Sequence, residues 1–583
     1  MKKHILLRRF VHAAACLLAL LLTVASIGPM QADAAASQLV SVGLYFVKNA
    51  LPSANLQNVT GYGSGYDIGI YDLDASGDRK QFVRLASTDE TEISMLIDRN
   101  MYLSGSSYTE APSGSGVSVG AYHAELAYAY SDYASAAQSA QNYADGFVAW
   151  CDGQYRVRFG SYETYREALD AAQYYSDCTA TGQTDYGMTV VATQTGRILF
   201  ELDMDEQTAL GIVPSGSGET RTWFKGYQYN GGFRYDRPGG GSMHVASIVP
   251  LEQYVASVLS REFVTNWPDE TLKAASCCIR SFVSTASKHQ TFDVCNDTCC
   301  QVYRGVYQYS PWDRLVSLCQ QTAGQQILYQ GAPILAVYHS SNGGATVSAS
   351  EAWHTDIPYL QGRYDPFEAQ VNTGAKDWQR TLSYDELTRL ANAWGFDCTR
   401  ITAVAVTGYT ELGNVAAVTF TDQSGRTHTF ADEDTLLFGG EFYSRRYVIL
   451  PPHSSQTITD VSGGAAAAGG TASTAEAYGG PYAVYDGSST TTAPQLYAVT
   501  AAGTEVLAGS AAVLGAGAGT GGEYPAPELT TRTVVNDSDY YMIYGSGWGH
   551  NVGLSAYGAY AMGLQGYSYQ DILKFYYQGV SIG

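Results

Sequence analysis

Basic residues are scarce in this chain. It has 33 Lys and Arg against 55 Asp and Glu among 583 residues, a formal net charge of −22. The first 35 residues carry +3, so the remainder stands at −25. A surface of that sign repels a phosphate backbone and argues against nucleic acid as a partner. Long apolar runs are also missing: beyond Ile27 no segment is long and apolar enough to span a bilayer. Charged residues make up only 15% of the chain and hydrophobic residues 45%. That balance excludes disorder over most of the length and predicts several domains around a large core.

The N-terminus is the exception. Lys2, Lys3, Arg8 and Arg9 precede an apolar stretch from Phe10 to Ile27, and Ala32-Asp33-Ala34 offers small residues for cleavage. Residues 1–35 therefore read as a signal peptide, or as an N-terminal anchor where it stays uncleaved. Cys16 lies inside the apolar run, which argues against a lipoprotein site. The signal predicts a secreted protein, outside the cytoplasmic membrane. Nine cysteines remain after residue 35, and in an exported protein the default is disulfides. Yet Cys295, Cys299 and Cys300 crowd together with His289 six residues before Cys295. The spacing His-x5-Cys-x4-Cys can close around one tetrahedral ion. The alternative is a disulfide from Cys295 to a cysteine such as Cys319.

The most patterned stretch runs from Val249 to Arg280. Leu251, Tyr254, Val255, Val258 and Leu259 recur at helical spacing, and Glu262 falls on the same apolar face. Asn266-Trp267-Pro268 breaks the helix. Pro268, Asp269 and Glu270 suit the start of a second one, buried along Leu272, Ala275, Ile279, Phe282 and Ala286. Lys273, Cys277 and Arg280 form a neighbouring stripe. A glutamate on an apolar face costs free energy unless it is paired, protonated or useful. Periodicity leaves two readings: an ion pair with Lys273 or Arg280, or a general acid whose pKa is raised by burial.

The rest of the chain divides by composition. Residues 36–117 hold short strand-like runs of no evident role and end in a Ser/Gly/Pro-rich linker. Residues 118–205 contain a repeat of period 32, with Tyr133, Ala136, Ala140 and Gln141 matching Tyr165, Ala168, Ala172 and Gln173. Flanking strand-like stretches give the order β-α-β-β-α-β of a small ferredoxin-like domain. Residues 452–534 are rich in Gly, Ala, Ser and Thr and read as an insertion, with two short strands expected around Leu496 to Leu507.

Two resemblances follow from particular residues. Tyr155-Arg156-Val157-Arg158-Phe159-Gly160-Ser161-Tyr162 with Ala168 and Ala171 resembles the SPOR domain, which binds peptide-free peptidoglycan glycan. Val249 to Tyr254, Glu262, Trp267-Pro268, Glu270, Leu272-Lys273-Ala274 and Arg280-Ser281 resemble stage II sporulation protein D (SpoIID) and its relatives. Asp293 to Tyr303, Ala336 to Gly344, Pro358-Tyr359-Leu360, Asp365-Pro366, Gly547 to Ser555 and Ile572 to Tyr577 continue the likeness in the family's order. It covers residues 220–451 and 535–583, which implies an α+β multidomain protein whose SpoIID-type catalytic domain is discontinuous, preceded by the SPOR-type domain.

The resemblance implies a lytic transglycosylase that cuts peptidoglycan glycan strands between N-acetylmuramic acid and N-acetylglucosamine, in sporulation or wall remodelling. Glu262 would be its single acid/base. Lys273 and Arg280 match positions supporting the site and are expected to face the saccharide. Tyr338, His339 and Ser340, with His550 in the last Gly-rich box, would line it, although either histidine could instead be structural. His289, Cys295 and Cys300 match the ligands of zinc-binding members, with Cys299 either completing the site or standing by. Phe263 and Asn551 depart from the family's Met and Gly. The family also includes amidase enhancers, which implies the alternative of a non-catalytic wall-binding module acting on a partner amidase.

Overall fold

The computed structural model describes residues 38–73, 79–203, 205–309, 311–431, 442–463 and 524–583, with the backbone of four short strands between 482 and 506. The expected signal peptide, and most of the expected insertion, lie outside the described residues. Two of the four short strands, Tyr497–Thr500 and Gly503–Val506, pair as a hairpin where a pair was expected. Among the described residues no helix is long and apolar enough to cross a membrane.

The protein is a mixed α+β structure of several sheets. Strand Leu39–Tyr45 has a near-continuous apolar run, and it is buried along Val40, Val42 and Leu44. It pairs antiparallel with His244–Pro250, Leu39 opposite Pro250 and Val40 opposite Val249, and parallel with Val294–Cys295. The strand leading into the first core helix is therefore clamped by the beginning of the described chain. Tyr66–Leu73 joins the same seven-stranded sheet through Ala209–Pro214.

Within 118–205 the order β-α-β-β-α-β is filled by Tyr122–Leu126, helix Tyr133–Ala140, Gly146–Cys151, Gln154–Tyr162, helix Tyr165–Ala172 and Cys178–Thr181; the strand-like stretch Met188–Ala192, expected as the last of these, is a further strand followed by Ile198–Asp203. The repeat has a packing cause: Ala136 and its counterpart Ala168 are both fully buried, small enough to seat each helix on the strands. Asp132 caps the first helix, and Thr164 with Glu167 forms a capping box on the second. These four strands do not close on themselves. Gly146–Cys151 pairs in parallel with Ile198–Asp203, and the sheet extends to ten strands through Glu92–Ile97 and Ser53–Asn58. Sheets thus run across the boundaries suggested by composition at residues 117 and 205. The reason is that strand edges are saturated by pairing, not by proximity in sequence.

Helix Leu251–Glu262 and helix Asp269–Thr285 form where the periodicity placed them. Tyr254, Val255, Val258 and Leu259 are completely buried, each aliphatic side chain contributing about 1.5–3 kcal/mol. The second helix packs on helices Ala556–Leu564 and Tyr569–Tyr576. Thr271 Oγ1 donates to the carbonyl of Ala559 at 3.0 Å, and the amide of Tyr569 donates to Glu270 at 2.8 Å. The helices approach so closely that a Cβ on Gly563 would lie 2.2 Å from Thr271 Oγ1.

Strands from both sides of residues 464–523 pair with one another. Tyr541–Ser546 lies between Trp378–Leu382 and Arg446–Leu450, and Tyr338–His339 runs parallel to Leu554–Ser555. Ser454–Gly463 and Pro527–Asn536 zip into a ten-residue ladder, so the compositional limit 534 falls inside this two-stranded ladder and 452 lies just before it.

Candidate active site

Glu262 is the last residue of its helix, with Phe263 extended as the cap. The carboxyl therefore sits at the negative end of a helix dipole, which disfavours its ionised form. Burial pushes its pKa up to about 7, against a smaller opposing effect of the Val302 backbone amide. That amide donates to Oε1 at 2.6 Å, and the Tyr338 hydroxyl donates to Oε2.

Behind Tyr338 the donors line up in one direction. Gln301 Nε2 donates to the Tyr338 hydroxyl at 3.1 Å, and Tyr254 donates to Gln301 Oε1 at 2.8 Å. Tyr254 and Gln301 are both buried. A chain of aligned dipoles thus ends on Glu262, supporting the carboxylate once its proton has left. Phe263 packs against the Tyr338 ring at 5.4 Å and fixes its plane.

Glu262 and Tyr338 open into a cleft of about 570 Å³, and Glu262 is the sole carboxylate lining it among the described residues. His339, Ser340, His550 and Trp548 line it too, as do Cys299 and Cys300. The two histidines are neutral. Nδ1 of His550 accepts from the Val552 amide at 3.1 Å, so its protonated Nε2 donates to the Tyr338 carbonyl at 2.9 Å. Burial, aided by the charge of Arg445, pushes its pKa down to about 4. His339 donates from Nδ1 to the Val552 carbonyl at 3.1 Å. Its Nε2 is left as a buried lone pair without a partner. Burial holds its pKa well below the ordinary range. Both rings tie the Gly547–Val552 loop to the Tyr338 loop. Asn551 takes φ = 65°, a left-handed conformation that Asn tolerates in place of Gly, and donates to the Asn342 carbonyl at 2.9 Å.

Lys273 and Arg280 are elsewhere, which corrects the expectation that they face the saccharide. Arg280 is fully buried and grips Glu252 with two bonds of 2.9 and 2.6 Å. Lys273 pairs with Glu270 at 2.8 Å, one turn back on the same helix. Neither lines the cleft, and Glu262 has no ion-pair partner among the described residues, so the ion-pair reading of Glu262 falls as well. Of that stripe only Arg280 meets Glu252, on the neighbouring helix, while Lys273 turns to its own helix.

His289, Cys295, Cys299 and Cys300 converge, their four donor atoms all within 4.8 Å of one another. Cys299 is part of this group together with the three residues singled out from spacing. Three sulfurs and an imidazole are the donors a soft divalent ion takes. Cys300 is followed directly by Gln301 and Val302, so the cluster and the groups holding Glu262 share one short segment.

Sequence reasoning assigned no role to Gln301, Val302 or Glu368. Glu368 is buried beneath the Gly-rich loop and accepts from Ser341 Oγ at 2.5 Å, from the amides of Asn342 and Gly343 at 2.9 and 2.8 Å, and from Ser555. Burial first, then the nearby Asp365 carboxylate, pushes its pKa up to about 7. It fastens the loop rather than facing the cleft. A backbone amide carries no side-chain signal, and Glu368 has no periodicity to reveal it.

A lone buried carboxyl thus lines an aromatic-edged cleft beside a cluster of three cysteines and a histidine. Residues 239–329 match the SpoIID family, described as stage II sporulation protein. The amidase enhancer of Bacillus subtilis (strain 168) is 27% identical over 335 residues, 56% of this chain and 39% of that protein. Stage II sporulation protein D of Bacillus amyloliquefaciens is 28% identical over 143 residues, 22% of this chain and 42% of that protein. A Brachyspira hyodysenteriae protein is 25% identical over 372 residues, 62% of this chain and 75% of its own length. The likeness to the SpoIID family is carried by residues 239–329, and the alignments span about two fifths of the amidase enhancer and of the sporulation protein.

Proposed function

We propose that the protein is a peptidoglycan lytic transglycosylase acting outside the cytoplasmic membrane on peptide-free glycan strands. The observation that carries this reading is the isolation of Glu262, with its pKa about 7 and no second carboxylate lining the cleft among the described residues. A glycoside hydrolase of the usual kind needs two carboxyl groups across the scissile bond. One group suffices when the second nucleophile belongs to the substrate. Protonated Glu262 gives its proton to the glycosidic oxygen as the bond from muramoyl C1 to that oxygen breaks. The resulting carboxylate, supported by Val302 and Tyr338, takes the proton of the muramoyl C6 hydroxyl. O6 then bonds to C1 as a 1,6-anhydro ring, and Glu262 is again protonated. No water is consumed.

The His289/Cys295/Cys299/Cys300 cluster would hold a structural zinc ion. Tetrahedral zinc with bonds of about 2.3 Å brings sulfurs roughly 3.8 Å apart, a short convergence from the spacing seen. Bound there, zinc would supply cross-linking of the 289–302 loop. Residues 118–205 would serve as a SPOR-type glycan-binding module, a reading supported by the 32-residue repeat and by the strand order Cys178–Thr181, Tyr122–Leu126, Gln154–Tyr162, Gly146–Cys151.

The test is to incubate the mature protein with peptide-free glycan strands and look by mass spectrometry for anhydro-muramoyl ends, with Glu262→Gln as control. Intact strands, or equal cleavage by Glu262→Gln, would overturn the reading. A second reading has the similarity to the amidase enhancer in its favour: a wall-bound module that stimulates a partner amidase. It predicts enhanced amidase activity that Glu262→Gln leaves unchanged.

A further inference from the structure

Trp548 is 52% exposed, an uncommon position for the largest aromatic side chain. Its surroundings hold it there. One face of the indole lies on the Tyr443 ring, centroids 4.6 Å apart and planes within 8°. Trp378 meets the Tyr443 ring edge-on at 5.2 Å and 75°. Nε1 of Trp378 donates to the carbonyl of Gly547 at 3.0 Å, and the amide of Gly549 donates to the carbonyl of Tyr443 at 2.7 Å. The residues on either side of Trp548 are thus both pinned to the aromatic base. Trp548 itself exchanges two backbone bonds with Ser341, of 2.7 and 3.0 Å, in the loop that begins with Tyr338. Gly547 and Gly549 take φ values of 98° and 119°, and a Cβ on Gly549 would lie 2.8 Å from Cβ of His339. Only glycines allow the chain to turn the indole outward there.

Among the described residues one face of the indole is covered by Tyr443, and Trp548, half-exposed, lines the cleft that Glu262 lines. We infer that its other face is a stacking subsite for a pyranose ring of the substrate strand. Sugars linked β-1,4 with equatorial substituents present axial C–H groups as an apolar face. That face matches an indole, while their hydroxyls remain hydrated. A platform held flat in advance loses little side-chain entropy on binding. The inference rests on the glycan reading of the Glu262 site and adds where the strand is gripped.

The experiment uses the full mature chain. In the Glu262→Gln protein, peptide-free glycan strands are titrated while tryptophan emission is followed; with active Glu262, KM and kcat are measured separately. Binding should shift the emission to shorter wavelength, and Trp548→Ala should remove most of that shift. Trp548→Ala should also raise KM about tenfold at nearly unchanged kcat, with Trp548→Tyr recovering most of the loss. Cleavage by the wild type with KM unchanged in Trp548→Ala would overturn the subsite alone. A fall in kcat at constant KM would mean that the indole serves the loop, and would overturn it too. A wild type that neither binds nor cuts glycan would overturn the glycan reading and the subsite together.

Discussion

The backbone amide of Val302 lies 2.6 Å from Oε1 of Glu262, in a segment that begins two residues earlier at Cys300 of the His/Cys cluster. The proposed acid is thus held by a loop whose other end is a candidate metal site. Zinc analysis of the purified protein should give one ion per chain. Its removal by chelation should increase amide exchange across residues 289–303 and reduce glycan cleavage, both reversed by added zinc. A metal-free protein with Cys295 in a disulfide would exclude the ion.

Tyr338→Phe removes the hydroxyl that donates to Oε2 of Glu262. Loss of a bond to the charged form raises the pKa further. The first step of the proposed reaction needs protonated Glu262, so the rate should decline as pH rises through that pKa, about 7 in the native chain. In the variant this alkaline limb should move up by about one pH unit, while the maximal rate falls about tenfold because a carboxyl of higher pKa is a weaker proton donor and its anion has lost a supporting hydrogen bond. A pH–rate profile of kcat/KM on both proteins checks it.

Glu262 also links stability to pH. Its folded pKa, about 7, exceeds the ordinary 4.5. The folded state therefore binds more protons between those values, and stability contributed by this group is full below pH 4.5 and lost as pH rises to 7. The cost above pH 7 is at most about 3 kcal/mol. Glu262→Gln should accordingly unfold at higher denaturant concentration than wild type at pH 8, and at nearly the same concentration at pH 4.5. Equal midpoints at pH 8 would contradict the burial of the carboxyl.

Arg280→Met leaves the half-buried Glu252 facing a neutral side chain in place of a fully buried guanidinium. Breaking such a pair from one side should destabilise the protein by about 3–5 kcal/mol, read as a lowered denaturation midpoint. Because Arg280 faces Glu252 and the carbonyl of Gln325 rather than the cleft, KM of the folded fraction should not change. A selective rise in KM at unchanged stability would restore a substrate role.

Much of this was legible in the residues. The two helices of Val249–Arg280 follow from apolar spacing and from the break at Pro268, both local properties. The paired helices of the 32-residue repeat follow from matched alanines that must be buried. The His/Cys cluster was readable because its ligands lie within twelve residues, so a short loop has to bring them near one another. The acidic balance and the lack of any second long apolar run were fixed by composition alone.

Only the tertiary structure decided what surrounds Glu262. Spacing put a carboxyl on an apolar face but could not say whether a cation met it there; the crossing of two helices sent Arg280 to Glu252 and left Glu262 to Tyr338 and Val302. Those partners lie 76 and 40 residues away in the chain, and one of them is a backbone amide with no identity in the sequence. Trp548 reaches the same cleft from more than 280 residues downstream, because Tyr541–Ser546 pairs across the long insertion. Local periodicity determines elements; the long-range pairing of strands determines which side chains share a cleft.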